Sequence, residues 1–447
     1  MAVWSTVQLA ALPEAFRLDA EYYQPEYLRF EHWTRNGQPL REAVKGVLHP
    51  IEITRIYSES GVRILLAQNI RQNYLDHSAA AFMPENVRTP LARNRLKPGD
   101  VVMTRSGANF GDTACYLGEP PDIFACADCL IIRPDSIPAG YLSTFFNSRI
   151  GRGLLTRGAY GAAQPHIAPS YLKGLRIPRM TGTEATVHAL VVEAHGLRKK
   201  SETIYQQTEA ILTATLGLDR VDLTPCLFYE DTYAHAAAAV RLDAEYFSPR
   251  MQNVIETLSA GGKTIGDVAP LAKRRFKAVP GKPFDYIEIS DIGTAGTAGS
   301  NTVAGEDAPS RATWIVKPGD IITTTVRPIR RLSAIILPEQ DGFVSSSGFA
   351  VLRPRDIEPE LLLTYLRLPL VAELLDLHTT ASMYPAISTT DLLRIPFRLP
   401  ECQVREEIVN KIRQSFAARA ESQRLLQKAK QIVEQAIMGP SETALSL

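Results

Sequence analysis

Two textures of hydrophobic and polar residues run along this chain, and each occurs twice. Between about residues 40 and 180, short β-branched runs stand between turn residues. Val101-Val102-Met103 follows Lys97-Pro98-Gly99-Asp100, and Leu130-Ile131-Ile132 precedes Arg133-Pro134. Apolar runs bounded by turn residues predict buried strands. Residues 141–150, and later 361–375, predict helix instead. At Thr183 the period changes. Val187, Ala194, Ser201, Thr208 and Thr215 fall on one heptad line, with Leu190, Leu197, Ile204, Ile211 and Leu218 on the line three residues on. An apolar period of about 3.5 held over this length predicts a coiled-coil seam. A second such helix starts at Glu401, with Val404, Ile408, Ile412, Phe416, Leu425, Ala429, Ile432 and Ala436 apolar. Aligning Val187 with Val404, and Ile204 with Leu425, makes the second helix one turn longer than the first.

The textures recur because the chain is a duplication. RLDAEYYQP at 17–25 returns as RLDAEYFSP at 241–249, and LKPGDVVMTR at 96–105 as VKPGDIITTT at 316–325. Arg133-Pro134 returns as Arg353-Pro354, and GAAQPHIAPSYLKGLRIP at 161–178 as SMYPAISTTDLLRIP at 382–396. That period is too long for a solenoid, whose repeats run about 20–50 residues. The expected fold is α+β: two pseudo-twofold-related mixed α/β domains separated by two long helices that pair as an antiparallel coiled coil. The bounds are 1–182 for the first domain, 183–218 for the central helix and 219–400 for the second domain. Residues 401–438 form the second helix, and 439–447, after the stop at Gly439-Pro440, a disordered tail. Pairing should bury Leu190, Leu197, Ile204 and Ile211 against Ile408, Ile412, Leu425 and Ile432. The alternative is that each helix packs only on its own domain.

The chain has 447 residues, is 45% hydrophobic, and carries a net charge of +1. No stretch approaches the roughly 20 apolar residues of a membrane span, and no apolar signal-peptide core opens the sequence. Five cysteines are too few and too odd in number for a disulfide framework, so a reducing cytoplasm is the expected setting. Catalytic motifs are missing: there is no phosphate loop, HExxH, GxSxG or Rossmann glycine string. Neither the [DNS]PP[YFW] nor the FxGxG signature of an amino-methyltransferase occurs. Cys126-Ala-Asp-Cys129 lacks the second pair a zinc site needs, so no metal site and no catalytic residue is assigned. Basic residues are more informative. Residues 136–183 contain no Asp or Glu but include Arg149, Arg152, Arg157, Lys173, Arg176 and Arg179. Residues 268–284, also free of acids, hold Lys273, Arg274, Arg275, Lys277 and Lys282, and Arg327, Arg330 and Arg331 form a third cluster. Local positive charge on a neutral whole is what tracking a phosphate backbone requires.

RLDAEYY and its second copy RLDAEYF near the start of each half, GDVVMTRSGANFGD at 99–112, TVRP at 325–328, SSGFAVLRP at 346–354 and the closing Ile-Pro strings resemble the specificity subunits of Type I restriction–modification systems. The resemblance covers essentially the whole chain and follows the family's order of parts. It implies a non-catalytic DNA-binding subunit whose two target-recognition domains each read half of an interrupted double-stranded DNA site. It also implies helices that act as a spacer and dock two modification subunits, which bind S-adenosylmethionine and methylate adenine. A separate restriction subunit, driven by ATP with Mg, translocates and cuts. The chain itself holds no cofactor. The expected phosphate contacts are Arg157, Lys273, Arg274 and Arg275, with Arg330 and Arg331 beside them. Arg105, Asn109, Gln164, Arg327 and Tyr384 are the expected base-edge contacts. About 34 residues of central helix span about 50 Å, enough to hold two domains about one DNA turn (~34–36 Å) apart. A different class of function, a protein-binding adaptor built from two repeated domains, remains the alternative.

Overall fold

The structure, a computed structural model, describes residues 4–6, 17–77, 81–107, 109–161, 165–380 and 383–439. Gln164 and the tail beyond Gly439 lie outside them. The chain divides into two units, 1–198 with 419–447, and 199–418. Each unit therefore takes one half of each long helix.

In the first unit, helix α1 (Pro25–Thr34) precedes seven main strands. These are β1 (Val44–Leu48), β2 (Val62–Leu65), β3 (Ala81–Met83), β4 (Val101–Thr104), β5 (Thr113–Cys115), β6 (Ile123–Ala125) and β7 (Cys129–Pro134). An antiparallel sheet runs in the order β1-β7-β4-β5, and a second in the order β3-β2-β6 with β2 and β6 parallel. The expected helix over 141–150 is two helices, α2 (Ala139–Asn147) and α3 (Arg149–Arg157). Ser148 ends the first and caps the second, its Oγ accepting from the Gly151 amide at 3.1 Å. Helix α4 (Thr181–Leu216) follows.

The second unit repeats this plan. Helix α5 (Pro249–Ser259) precedes β8 (Phe284–Ile287), β9 (Asn301–Val303), β10 (Ala312–Ile315), β11 (Ile321–Thr324), β12 (Ser333–Ile335), β13 (Val344–Ser346) and β14 (Phe349–Leu352). The sheets run β9-β8-β13-β10 and β12-β11-β14, with β8 and β13 parallel as β2 and β6 are. Helices α6 (Pro359–Leu366) and α7 (Pro369–Leu377) break at Pro369, which has no amide hydrogen to continue the first. A strand pair, β15 (Thr379–Thr380) with β16 (Ala386–Ile387), leads on to helix α8 (Cys402–Met438). Among the described residues no helix is long and apolar enough to cross a membrane.

The repeated KPGD and RP strings meet in both units. Asp100 accepts from the Lys97 amide at 2.9 Å and pairs with Arg133 at 3.4 Å. Asp320 accepts from the Lys317 amide at 2.8 Å and pairs with Arg353 at 3.1 Å. Both carboxyls are buried, and burial raises their pKa against the opposing pull of the amide and the arginine.

The long helices differ from expectation by one residue in their seam. The line of Val187, Ala194, Ser201 and Thr208 is buried as expected. Its companion is Val191, Arg198, Tyr205 and Leu212, whereas Leu190, Leu197, Ile204 and Ile211 are half-buried. On α8, Ile408, Ile412 and Leu425 are buried, but Ile432 is only partly so, and Val433 beside it is fully buried. The helices run antiparallel. The Ser201 and Ser415 hydroxyls meet at 2.9 Å, and Ser422 Oγ donates to Ala194 O at 2.7 Å, seven residues back on one helix and seven forward on the other. The helices have 36 and 37 residues, so the second is not a turn longer. These contacts make Ala194 the counterpart of Ser415 and Ser201 that of Ser422. Val187 then corresponds to Ile408, not to Val404. The alternatives for these helices coexist. Val187, Val191 and Ala194 share one core with Leu425, Ala429 and α2, and Leu212 and Leu216 share another with Ile408, Ile412 and α6.

Candidate nucleic-acid interface

The loop leaving β4 and the one leaving β11 are built alike. In the first unit the Arg105 amide donates to Asp128 O at 2.8 Å, and Ser106 bridges His166. In the second the Thr325 amide donates to Gly348 O at 2.9 Å, and Val326 bridges Ala386. Each loop is thus tied on one side to the turn before β7 or β14, and on the other to the segment after α3 or α7.

Side chains repeat the arrangement with different spacing. Arg105 Nη2 lies 3.4 Å from Tyr160 Oη, and the Tyr160 ring stands 5.7 Å from His166. Arg105 Nε and His166 Nδ1 are buried without a hydrogen-bond partner among the described residues. In the second unit Arg327 sits 5.6 Å from the Tyr384 ring, and its Nη2 reaches Met383 O at 3.4 Å. Arg327 occupies the left-handed region (φ 50°), where its amide donates to Pro385 O at 2.8 Å. Tyr160 and Tyr384 are 47% and 66% exposed, too open for core tyrosines. Each unit therefore presents an arginine beside an exposed tyrosine on corresponding loops. A guanidinium fork matches guanine O6 and N7, and an aromatic face stacks on bases.

Arg105, Arg327 and Tyr384 are thus brought into these two couples, and Asn109 is half-buried in the first loop with its carbonyl on the Asp112 amide. Tyr160 and His166 were not expected. The repeat pointed to them, because the segment that carries Tyr384 aligns with the one between Tyr160 and Ile167.

Several expected phosphate contacts are engaged elsewhere. Arg157 is 6% exposed, with its guanidinium 2.9 Å from Glu31 and over the Tyr22 ring, which leaves no face for a phosphate. Arg274 bonds buried Asp320, and Arg331 bonds Glu209 and the Arg367 carbonyl. The acid-free stretch 136–183 does not make an acid-free surface: Arg149 pairs with Glu26, Arg152 with Asp112 and Arg179 with Glu184. Lys273, Arg275, Arg327 and Arg330 remain exposed, with Arg275 beside Trp314 along the edge of β10.

Cys126 and Cys129 lie 3.7 Å apart, sulfur to sulfur, and a hydrogen bond from Cys129 lowers the Cys126 pKa. Among the described residues no three His, Cys, Asp or Glu side chains converge as metal ligands.

No protein-family model and no curated protein matches the chain. Three of the solved structures it matches come from Type I restriction–modification systems. One is from work on assembly and conformational transition of the type I R-M system, at 14% identity and TM-score 0.27, covering 90% of this chain and 98% of that one. Another is the S subunit from M. genitalium, at 12% identity and TM-score 0.37, covering 90% and 94%. A third is the HsdS subunit from Thermoanaerobacter tengcongensis, at 14% identity and TM-score 0.25, covering 90% and 96%. At TM-scores below 0.5 these likenesses carry no conclusion about fold or activity.

Proposed function

We propose that this chain is a non-catalytic DNA sequence-recognition subunit of a Type I restriction–modification system, each unit reading one half of an interrupted site. The observation that carries this reading is the pair of Arg–Tyr couples, Arg105 with Tyr160 and Arg327 with Tyr384, on loops whose backbone ties are equivalent but whose sequences diverge. A shared frame with different side chains suits two readers of different bases. Exposed Lys273, Arg275 and Arg330 supply sequence-independent phosphate contacts. On this reading methylation and cleavage belong to partners: two modification subunits with S-adenosylmethionine, and restriction subunits with ATP and Mg.

Methylome sequencing of cells with and without the gene tests the reading. An interrupted adenine-methylated motif that disappears with the gene supports it, and an unchanged methylome refutes it. The protein-adaptor alternative is separated by salt, because affinity for duplex DNA falls steeply with ionic strength whereas an adaptor interface need not.

A further inference from the structure

The longest repeated string, RLDAEY, contributes no side chain to either Arg–Tyr couple, yet both copies make the same construction. In the first unit Asp19 takes Arg17 through two bonds of 2.8 and 2.9 Å. The remaining Arg17 nitrogen, Nη1, donates to Ala159 O at 3.2 Å and, more weakly, to Arg157 O at 3.4 Å. In the second unit Asp243 takes Arg241 at 2.8 and 2.7 Å, and Arg241 Nη2 also donates to Leu377 O at 2.7 Å. Tyr22 and Tyr246 lie under the two guanidinium groups at 4.8 and 4.6 Å.

The carbonyls chosen are informative. The last carbonyls of a helix have no partner within it and attract a cation. Arg157 ends α3 and Leu377 ends α7, and the segments launched there lead straight to Tyr160 and to β15. Resting on the proposed reading of DNA, we infer that the repeated Arg-x-Asp is a clamp whose residues Arg17, Asp19, Arg241 and Asp243 position the tyrosine-bearing segment of each unit beside its reading arginine.

The carboxylate's role is orientation: it holds the guanidinium with one edge turned to the helix end. Consistent with that pairing, the arginines lower the pKa of both aspartates. The two clamps differ at one residue. Where the first unit has Gly158 the second has His378, whose Nδ1 lies 3.0 Å from Arg241 Nη1 and must accept from it. A cavity of about 1300 Å³ borders the second clamp and is lined by Arg241, Asp243, Tyr246 and His378. Water there can take over a lost contact, so breaking the clamp should release the segment without unfolding the unit.

The test uses the full chain with its partner subunits and a randomised duplex DNA library at fixed salt. Asp19→Asn should relax base preference about tenfold in one half of the selected sequence, and Asp243→Asn in the other half. The slope of affinity against salt should stay unchanged, because no phosphate contact is removed. Equal weakening of both halves by either variant, or intact preference in both, overturns the clamp while leaving DNA recognition standing. If the unaltered protein selects no sequence, the reading of DNA itself fails. The clamp is then judged by hydrogen exchange: Asp19→Asn should lower protection of the Tyr160 and His166 amides and spare those of β4. Unchanged protection at Tyr160 and His166 overturns it.

Discussion

Neighbouring residues 211 and 212 provide a direct measurement of which face of α4 is the seam. Leu212 is fully buried in the core that holds Ile408 and Ile412, whereas Ile211 is half-buried at the margin of that core. Truncating either to alanine removes three carbons, so chemistry is nearly constant and position decides. At a site with no exposure, Leu→Ala loses the transfer energy of the side chain and leaves a cavity, about 3 kcal/mol within the usual range of roughly 2–5. At the half-buried site only about half of the transfer term is lost, and alanine returns a few tenths of a kcal/mol in helix propensity, for a net of about 1 kcal/mol. The expected gap is thus about 2 kcal/mol. Urea unfolding followed through Trp314, which lies in the second unit, resolves it once Trp4 and Trp33 are replaced by Phe. The slope of free energy against urea must match between variants for the midpoints to be comparable. An Ile211→Ala cost equal to or above that of Leu212→Ala would return the seam to the line of Leu190, Leu197, Ile204 and Ile211.

Three further outcomes follow from the packing. Burial, with the Arg63 cation beside it, holds His77 at a pKa of about 4, below the ordinary value, and burial also lowers His195. The native state therefore binds fewer protons than the unfolded chain. The first unit should keep its full stability above about pH 6.5 and lose on the order of 2 kcal/mol as pH falls towards 4, partial exposure included; a pH dependence unaltered in His77→Gln refutes this. Ser415→Ala should cost about 1 kcal/mol by stranding the buried Ser201 hydroxyl, whereas Ser201→Ala should cost less, because Ser415 Oγ keeps its bond to the residue-201 carbonyl at 2.9 Å; additive single costs in a double-mutant cycle would show that the hydroxyls are not coupled. Arg275→Gln should leave stability within about 0.5 kcal/mol and reduce the salt slope of DNA binding by about 1. Arg274→Gln should instead destabilise the second unit by ~1–2 kcal/mol, because buried Asp320 loses a partner, and identical behaviour of the two variants would remove the distinction.

The framework was legible in the sequence because local patterns determine it. Periodicity located the long helices to within two or three residues, and turn residues located β4, β7 and β11. The line of the seam was not legible, for a physical reason. A heptad reading ranks positions by apolarity and so takes Leu190, Leu197, Ile204 and Ile211, but the companion to the line of Ser201 and Thr208 on the buried face of α4 runs through Arg198 and Tyr205. Small hydroxyl residues are tolerated there because each bonds locally or across the seam, as Thr208 Oγ1 does to Ile204 O at 2.8 Å and Ser201 to Ser415. Leu190 and Leu197 flank that face, half-buried against the core of their own unit. Charge was misleading for a different reason. Arg149 meets Glu26 and Arg331 meets Glu209, partners more than a hundred residues away that no local window contains.

The strings repeated most faithfully are those that fix the frame. KPGD and RP pair the buried carboxylates of Asp100 and Asp320 with Arg133 and Arg353, and RLDAEY supplies the contacts to the helix ends. The frame then fixes the loops chiefly through the backbone, with Thr325 Oγ1 adding a bond to Gly348 O at 3.0 Å. The Arg105 and Thr325 amides make equivalent bonds to the turns before β7 and β14 although the two side chains differ. Backbone anchoring is why the arginine of each Arg–Tyr couple can move. It stands at Arg105 in the first loop and two repeat positions later at Arg327 in the second, and in each place it finds a tyrosine. On the proposed function, specificity can therefore diverge between the units at little cost to folding, because the residues that read and the bonds that hold them are different sets.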